Sequence, residues 1–305
     1  MVEHEVECND KCRKKYRLAI QSVFLARENI LFLKEWVFYH IELGVEHFYL
    51  YDNTGSKGRN GSTREANRYG IPFADITARM SDEDVQDVMK EILEEIPERV
   101  TYVKWTPENA KGKIVYGWND ALSDYIKNYG NESEWTCFMD MDEFLFSVEG
   151  KNLKDIVEKY SEAGIGDIRL RQKKFEDRFY NLDKYVTKID KCIEGLNTTG
   201  YGTKHIIQTD LVDIAPPSEK KKKWNMHTIP VKNGKGDWIN MKELRFNHYN
   251  TNEKQFKFLK RLYRTSEDFF LNGKDDSMKR YWDIIESKCG NNRPIDILNR
   301  YPSSL

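Results

Sequence analysis

Cys137-Phe138-Met139-Asp140-Met141-Asp142-Glu143-Phe144-Leu145-Phe146 is the stretch that decides the fold. Apolar residues surround a short acidic run, and turn formers are missing. The apolar part reads as a buried strand, Trp135 to Phe144, of the kind found in sheets covered on both faces. Strands of open α/β sheets end at the crevice where ligands bind. Carboxylates in an apolar setting need a cation or strong donors to compensate them. On an extended strand Asp140 and Asp142 point to the same side. Two hard oxygen ligands then stand beside one divalent metal, of the kind that grips a diphosphate. An ordinary acidic turn is the plain alternative. Haloacid-dehalogenase phosphatases share Asp-x-Asp but need Thr or Val where this chain has Phe144. Magnesium nucleases also cluster carboxylates and stay open.

Upstream, strand and helix patterns alternate. Tyr16 to Leu25 reads as a strand, and Asn29 to Leu43 as an apolar helix stopped by Gly44. Val45 to Tyr51 is a second strand, followed by the polar loop Asp52-Asn53-Thr54-Gly55-Ser56. A third strand is expected near Ile71 to Asp75, then an acidic helix over Asp82 to Ile96. Val100 to Trp105 is a fourth strand, and Lys111 to Tyr129 a helix. This alternation predicts an α/β domain with a mainly parallel, Rossmann-like sheet flanked by helices. The second half is less regular. A helix at Asn152 to Ser161 precedes extended segments at Asp167 to Lys173, Lys204 to Thr209, Asn225 to Val231 and Asp237 to Phe246. Helices follow at Asn252 to Leu271 and Lys279 to Cys289. Pro216 to Lys223 breaks the composition and reads as a mobile loop.

Bulk properties narrow the function. The 305 residues carry 49 Lys and Arg against 50 Asp and Glu, a net charge of -1. No basic excess points to nucleic acid as a partner. No run of about 18 apolar residues predicts a membrane span, so no integral membrane segment is expected. The charged N-terminus lacks a signal core, and five irregularly spaced cysteines suit a reducing compartment. A cytoplasmic or soluble protein is expected. His4, Cys8 and Cys12 share a helical spacing, but without a fourth ligand nearby a frayed terminal helix is the preferred reading.

Several polar groups qualify for a site. Asp52 and Asn53 suit a ribose hydroxyl or a uracil N–H, or else a simple Asx turn. Arg27 sits where it can reach a phosphate or base, while Glu28 and Asn29 can equally just start the helix. His227 and His248 each offer an imidazole to complete a metal site begun by Asp142, although a lone histidine is more often structural. Glu176 and Asp177 could take a proton from an acceptor hydroxyl. Lys254, Lys257, Arg261 and Arg264 form a basic helix face, read first as solvated.

Taken together these blocks resemble glycosyltransferase family 92 and related family-2-like transferases. The matching features are Glu35-Trp36, Tyr39-His40, Leu43-Gly44-Val45 and Tyr51-Asp52-Asn53, then Trp118-Asn119-Asp120-Ala121-Leu122 and the Asp-x-Asp-Glu-Phe run. A looser third block holds Lys204-His205-Ile206-Ile207, His227 and His248-Tyr249. The resemblance implies a GT-A fold over 16–272, after a tail at 1–15. Within it, 16–146 would be the nucleotide-binding half and 147–272 the acceptor half, with a helical extension at 273–305. It implies a nucleotide-sugar donor, commonly a UDP-hexose such as UDP-galactose or UDP-glucose, a glycan acceptor, and a divalent metal, usually manganese. By position, Asp142 is the main metal ligand and Asp140 assists it or contacts the ribose. His248 or His227 closes the metal set, with Arg27, Asp52, Asn53 and Lys204 facing the nucleotide. Glu176 or Asp177 is assigned as base for an inverting transfer. Ala26-Arg27-Glu28-Asn29 departs from the usual Lys-Asn-Glu start. RQKKFEDRFYN after Arg169 lacks the family's usual acceptor loop, so acceptor and linkage are not inherited.

Overall fold

A computed structural model describes residues 14–56, 77, 80–176, 181–192, 203–214, 227–232, 234–250 and 273–301. Its first half is the parallel sheet that the sequence pattern predicts. β1 (Tyr16–Phe24) lies between β2 (His47–Asp52) and β4 (Ser133–Phe138), with β3 (Val100–Lys104) beyond β2, and all are parallel. Alternation along β1 explains why nearly every residue in it is buried. Leu18, Ile20 and Phe24 face one core, and Ala19 and Val23 face another. The first core is covered by α1 (Ala26–Asn29), α2 (Leu33–Glu42) and α3 (Asp82–Glu94), the second by α4 (Trp118–Tyr129). Ser81 and Asp84 form a reciprocal capping box at the start of α3, with bonds of 3.0 and 2.7 Å.

The second half is mixed. β8 (Thr203–Gln208) runs antiparallel to β4 and to β6 (Ile165–Glu176). β6 belongs to two neighbourhoods. Its first part pairs with β8 and with β9 (Lys235–Trp238), and its end pairs with β10 (Leu244–Asn250) and β7 (Lys191–Cys192). β10 also pairs antiparallel with β5 (Glu143–Ser147), and β11 (Gly273–Lys274) pairs with β7. α5 (Leu153–Glu162) packs on β6 and β1. α6 (Trp282–Cys289) and α7 (Pro294–Arg300) form the C-terminal helices, and α6 packs on α2.

Five expectations are corrected. The acidic run is not one strand: it ends β4 at Phe138, turns over 139–142 and restarts as β5. Met139 N–H makes a last bond to β1 at 3.3 Å, and the turn is closed by Asp140 N–H donating to Glu143 Oε2 at 3.0 Å. The helix expected from Asn29 begins only at Leu33 as α2, after a turn at 30–32 that separates it from the short α1. The helix expected from Lys111 begins only at Trp118, because Gly117 holds a left-handed φ of 54°. Asp237 to Phe246 is two strands joined by a turn, and the helix from Lys279 opens as a 3-10 turn at Ser277–Tyr281. The third strand near Ile71, the basic helix over Asn252 to Leu271, the loop at Pro216 and the His4, Cys8 and Cys12 set lie outside the described residues.

One contact set matters for the site. Among the described residues, β5 has a strand neighbour on one edge only, β10. Its other edge is satisfied by side chains of α2. Trp36 Nε1–H donates to the Glu143 carbonyl at 2.8 Å, and the Tyr39 hydroxyl to the Leu145 carbonyl at 2.6 Å. The Leu145 N–H donates to His40 Nε2 at 3.1 Å, which leaves His40 Nδ1–H to donate to the Trp36 carbonyl at 2.8 Å. Buried backbone groups need partners, and here a helix replaces a missing strand. Glu35, on the same helix, accepts the N–H groups of Val186 and Thr187 at 2.9 and 2.8 Å.

Candidate metal and nucleotide site

The turn at 139–142 lies at the carboxyl end of β4, beside the ends of β1 and β2. The antiparallel register of β5 and β10 sets Glu143 directly opposite His248, so both side chains share one face. Tyr249 N–H extends that ladder to the Asp142 carbonyl at 2.9 Å. The outcome is a cluster of Asp142, Glu143 and His248 whose ligand atoms lie within 4.8 Å of one another. His248 Nε2 is 3.2 Å from Asp142 Oδ2, and its Nδ1 is 3.1 Å from Gln172 Oε1. Two carboxylates and one imidazole suit a first-row divalent cation such as Mn2+ better than an all-oxygen Ca2+ cage. The donor set therefore fits the implied metal.

Asp140 is turned elsewhere. Lys204, with a fully buried side chain, places its ammonium 2.7 Å from Asp140 and 3.0 Å from Glu143. The expected pairing of Asp140 with Asp142 on one side of a strand gives way to a split, with Asp140 on Lys204 and Asp142 on His248. Glu143, which the sequence reading left without a role, takes the second carboxylate position in the cluster. Lys204 meets carboxylates from its own chain.

Charge in this pocket is finely balanced. Burial pushes Glu143 up to about 7, with Asp140 and Asp142 adding to the rise and Lys204 and His248 opposing it. Asp142 feels the same burial, yet His248 and Lys204 outweigh it and hold the carboxyl below its ordinary value. Burial lowers His248, but Asp142 and Glu143 outweigh that and keep the ring above its ordinary value. Glu28 on α1 is lifted to about 8 by burial and then by Asp142. That makes Glu28 a member of this electrostatic neighbourhood, although its sequence position also read as a plain helix start. Its signal was the charge alone, one residue before the helix expected from Asn29.

The other candidates scatter. Asp52 is buried: Oδ1 accepts the Thr54 N–H at 2.9 Å and the Thr54 hydroxyl, and Oδ2 accepts the Tyr102 hydroxyl at 2.6 Å. That is the Asx-turn alternative, although carboxylate lone pairs remain for a ligand. Thr54 Oγ1 also accepts the Ala26 N–H at 3.1 Å, so the loop and α1 are tied at the same sheet end. Asn53 donates its amide to the Trp105 and Val115 carbonyls at 2.9 and 3.1 Å. Arg27 donates to the Thr77 and Met80 carbonyls, each at 2.8 Å, and pairs with Asp82. It pins α1 to the start of α3. His227 is apart from the metal cluster: its Nδ1 is 2.9 Å from the Thr203 carbonyl, and its own carbonyl accepts from His205 Nε2 at 3.2 Å. His205 in turn is 2.7 Å from Asp167, on the opposite sheet face from Lys204. Glu176 is the last residue of β6 and pairs with Asn250, two positions past His248. Asp177 lies outside the described residues.

Known proteins place the chain. The family model for glycosyltransferase family 92 matches residues 66–284. A glycosyltransferase family 92 protein of Ricinus communis is 26% identical over 147 residues, covering 46% of this chain and 19% of that protein. One from Oryza sativa subsp. japonica is 24% identical over 164 residues, covering 52% and 21%. The chain thus spans about a fifth of the length of the curated relatives it matches. Among solved structures, S. aureus TarS 1-349 aligns at a TM-score of 0.37 and 12% identity, over 90% of this chain and 71% of that one. A UDP-glucose pyrophosphorylase complexed with UDP-glucose aligns at 0.32 and 13%, over 82% and 99%. Such low likeness sets no constraint on the chemistry. No helix among the described residues is long and apolar enough to cross a membrane. The family match covers most of the chain, including both the acidic turn and His248, and the chain belongs to glycosyltransferase family 92.

Proposed function

We propose that the protein is a metal-dependent glycosyltransferase. It moves a hexose from a nucleotide sugar, a UDP-hexose such as UDP-galactose or UDP-glucose, to a glycan hydroxyl with inversion. The observation that carries this is the convergence of Asp142, Glu143 and His248 at the end of the parallel sheet in a family 92 chain. Those three residues would hold the divalent ion, with manganese preferred over magnesium by the imidazole. Once bound, the ion supplies positive charge to the departing nucleoside diphosphate. Lys204 keeps Asp140 and Glu143 compensated inside the fold, so the acidic turn holds its shape before any ligand arrives. Asp52, fixed by Thr54 and Tyr102, would present its remaining lone pairs to the nucleoside. Glu176 or Asp177 would take the proton of the acceptor hydroxyl.

The test is calorimetric titration with UDP, in manganese and then in EDTA, with GDP and CMP as controls. UDP binding that needs manganese is expected, and Asp142→Asn should abolish it and the transfer of sugar while leaving the thermal melt cooperative. Full turnover by Asp142→Asn in manganese would show the metal assignment to be wrong.

A further inference from the structure

We infer that Lys174 supplies an ammonium that grips the diphosphate of the nucleotide beside His248, and so makes the site select a nucleoside diphosphate over a monophosphate. The inference deepens the reading proposed above and rests on it.

The geometry comes from strand pairing. β6 and β10 run parallel, with Phe246 beside Gln172 and His248 beside Lys174. Paired residues of adjacent strands share a face, so Lys174 projects on the same side as His248. That face also carries Gln172, whose Oε1 is 3.1 Å from His248 Nδ1, and Lys204, through its pairing with Leu170. Glu143 joins it from the other side of β10. Alternation along β6 sorts two adjacent lysines. Lys173 points to the opposite face, where Asp275 holds it at 2.5 Å. Lys174 points to the candidate site and is only 6% exposed.

Charge balance gives Lys174 a task. Lys204 already stands 2.7 and 3.0 Å from Asp140 and Glu143. With a divalent ion bound, the ion and Lys204 together balance the carboxylates of Asp140, Asp142 and Glu143. Lys174 is positive charge beyond that balance, and it opposes charge on His248. It therefore weakens the hold on a bare cation. An anion that meets both the ion and Lys174 reverses the sign, because each cation attracts it. A diphosphate brings a second phosphate group for the second cation, and a monophosphate does not. Hydrogen bonds between an ammonium and a phosphate are among the stronger ones, and lysine serves there as a point charge.

Nothing in the sequence context marks Lys174. It lies in RQKKFEDRFYN, the segment that lacks the family's usual acceptor loop.

Two kinds of affinity on the full chain test the inference. Manganese alone is read from the electron paramagnetic resonance of free Mn2+, and UDP and UMP by calorimetry in saturating manganese. Lys174→Met keeps the stem and deletes the charge. It should lose about 10–100-fold in UDP affinity, the worth of a charged hydrogen bond, and leave UMP almost unchanged. It should bind manganese alone at least as tightly as wild type, which a misfolded site would not do. Lys174→Arg should recover most of the preference for UDP. Equal losses for UDP and UMP, or a loss of manganese affinity in both variants, would mark Lys174 as scaffold and overturn the inference. So would an unchanged UDP affinity in Lys174→Met when wild type binds UDP with manganese, a result that leaves the metal reading standing. UDP binding that persists in EDTA and still falls in Lys174→Met would keep Lys174 on the diphosphate and sink the metal reading alone. A wild type that binds no UDP under either condition would overturn both.

Discussion

Replacing Lys204 with methionine keeps an unbranched apolar stem and deletes one buried ammonium. Asp140 and Glu143 then lose the cation that stands 2.7 and 3.0 Å from them. Breaking a buried ion pair from one side costs about 3–5 kcal/mol, because the remaining charge stays desolvated. Glu143, with only 3% of its side chain exposed, bears most of that, while Asp140 at 30% is partly relieved by water. The cost must depend on pH. Glu143 already holds its proton up to about 7 in the folded protein. A carboxyl raised in this way makes the native state bind more protons, so its ionisation lowers stability as pH rises from the unfolded value through the folded one. Removing Lys204 raises that folded value further and extends the decline above pH 7. We expect Lys204→Met to lose roughly 6–10 °C in thermal midpoint at pH 8.5 in EDTA, at about 2 °C per kcal/mol for a chain of this size. At pH 5.5, with Glu143 protonated in both proteins, the loss should fall by at least half. Manganese should restore more stability to the variant than to wild type, because a bound ion supplies the missing charge. An equal loss at both pH values, or no extra rescue by manganese, would refute the role given to Lys204.

Three further outcomes follow from the scaffold. His40 is buried and neutral, and burial holds it down at about 3, so the stability it contributes is full above pH 6.5 and is lost as pH falls toward 3. By pH 4 the loss should reach about 3 kcal/mol in wild type and vanish from the difference curve of His40→Gln, read from thermal midpoints across that range. Gly44→Ala should cost about 2–3 kcal/mol: Gly44 holds φ at 101°, and a Cβ there would lie 2.2 Å from Asn152 Oδ1, which caps α5. A melt within a degree of wild type would contradict this. Trp36→Phe strands the Glu143 carbonyl without its donor and should cost about 1–3 kcal/mol, with weaker manganese binding as the second readout.

Much of the first half was legible because one rule governs it. Strands covered on both faces read as unbroken apolar runs, and helices between them as 3.6-residue periods, so β1, β2, β3 and α3 lie close to where the pattern puts them. The same rule misled at the acidic run. Phe144, Leu145 and Phe146 are as apolar as Cys137 and Phe138, and periodicity alone does not show that the chain changes partners between them. The change is forced by β10 and Lys204, which arrive from far along the sequence. The start of α4 failed for a similar reason: Gly117 with φ at 54° decides it, and Lys111 to Tyr116 carry no helix-breaking proline.

The site shows the limit of spacing as a guide. Asp142 and His248 could be nominated by residue type, but their companion Glu143 is selected by a strand register, and register is a tertiary fact. The α2 residues Glu35, Trp36, Tyr39 and His40 read as a family signature of unstated purpose. Their purpose is now physical. Trp36, Tyr39 and His40 satisfy the free edge of β5 in the residues that follow the acidic turn, and Glu35 clamps 186–187 onto the same helix. A strand with one unpaired edge would otherwise be free to slip, and a slip of one residue would turn Glu143 away from His248. The helix that looks like packing is therefore what holds the candidate ligands in register.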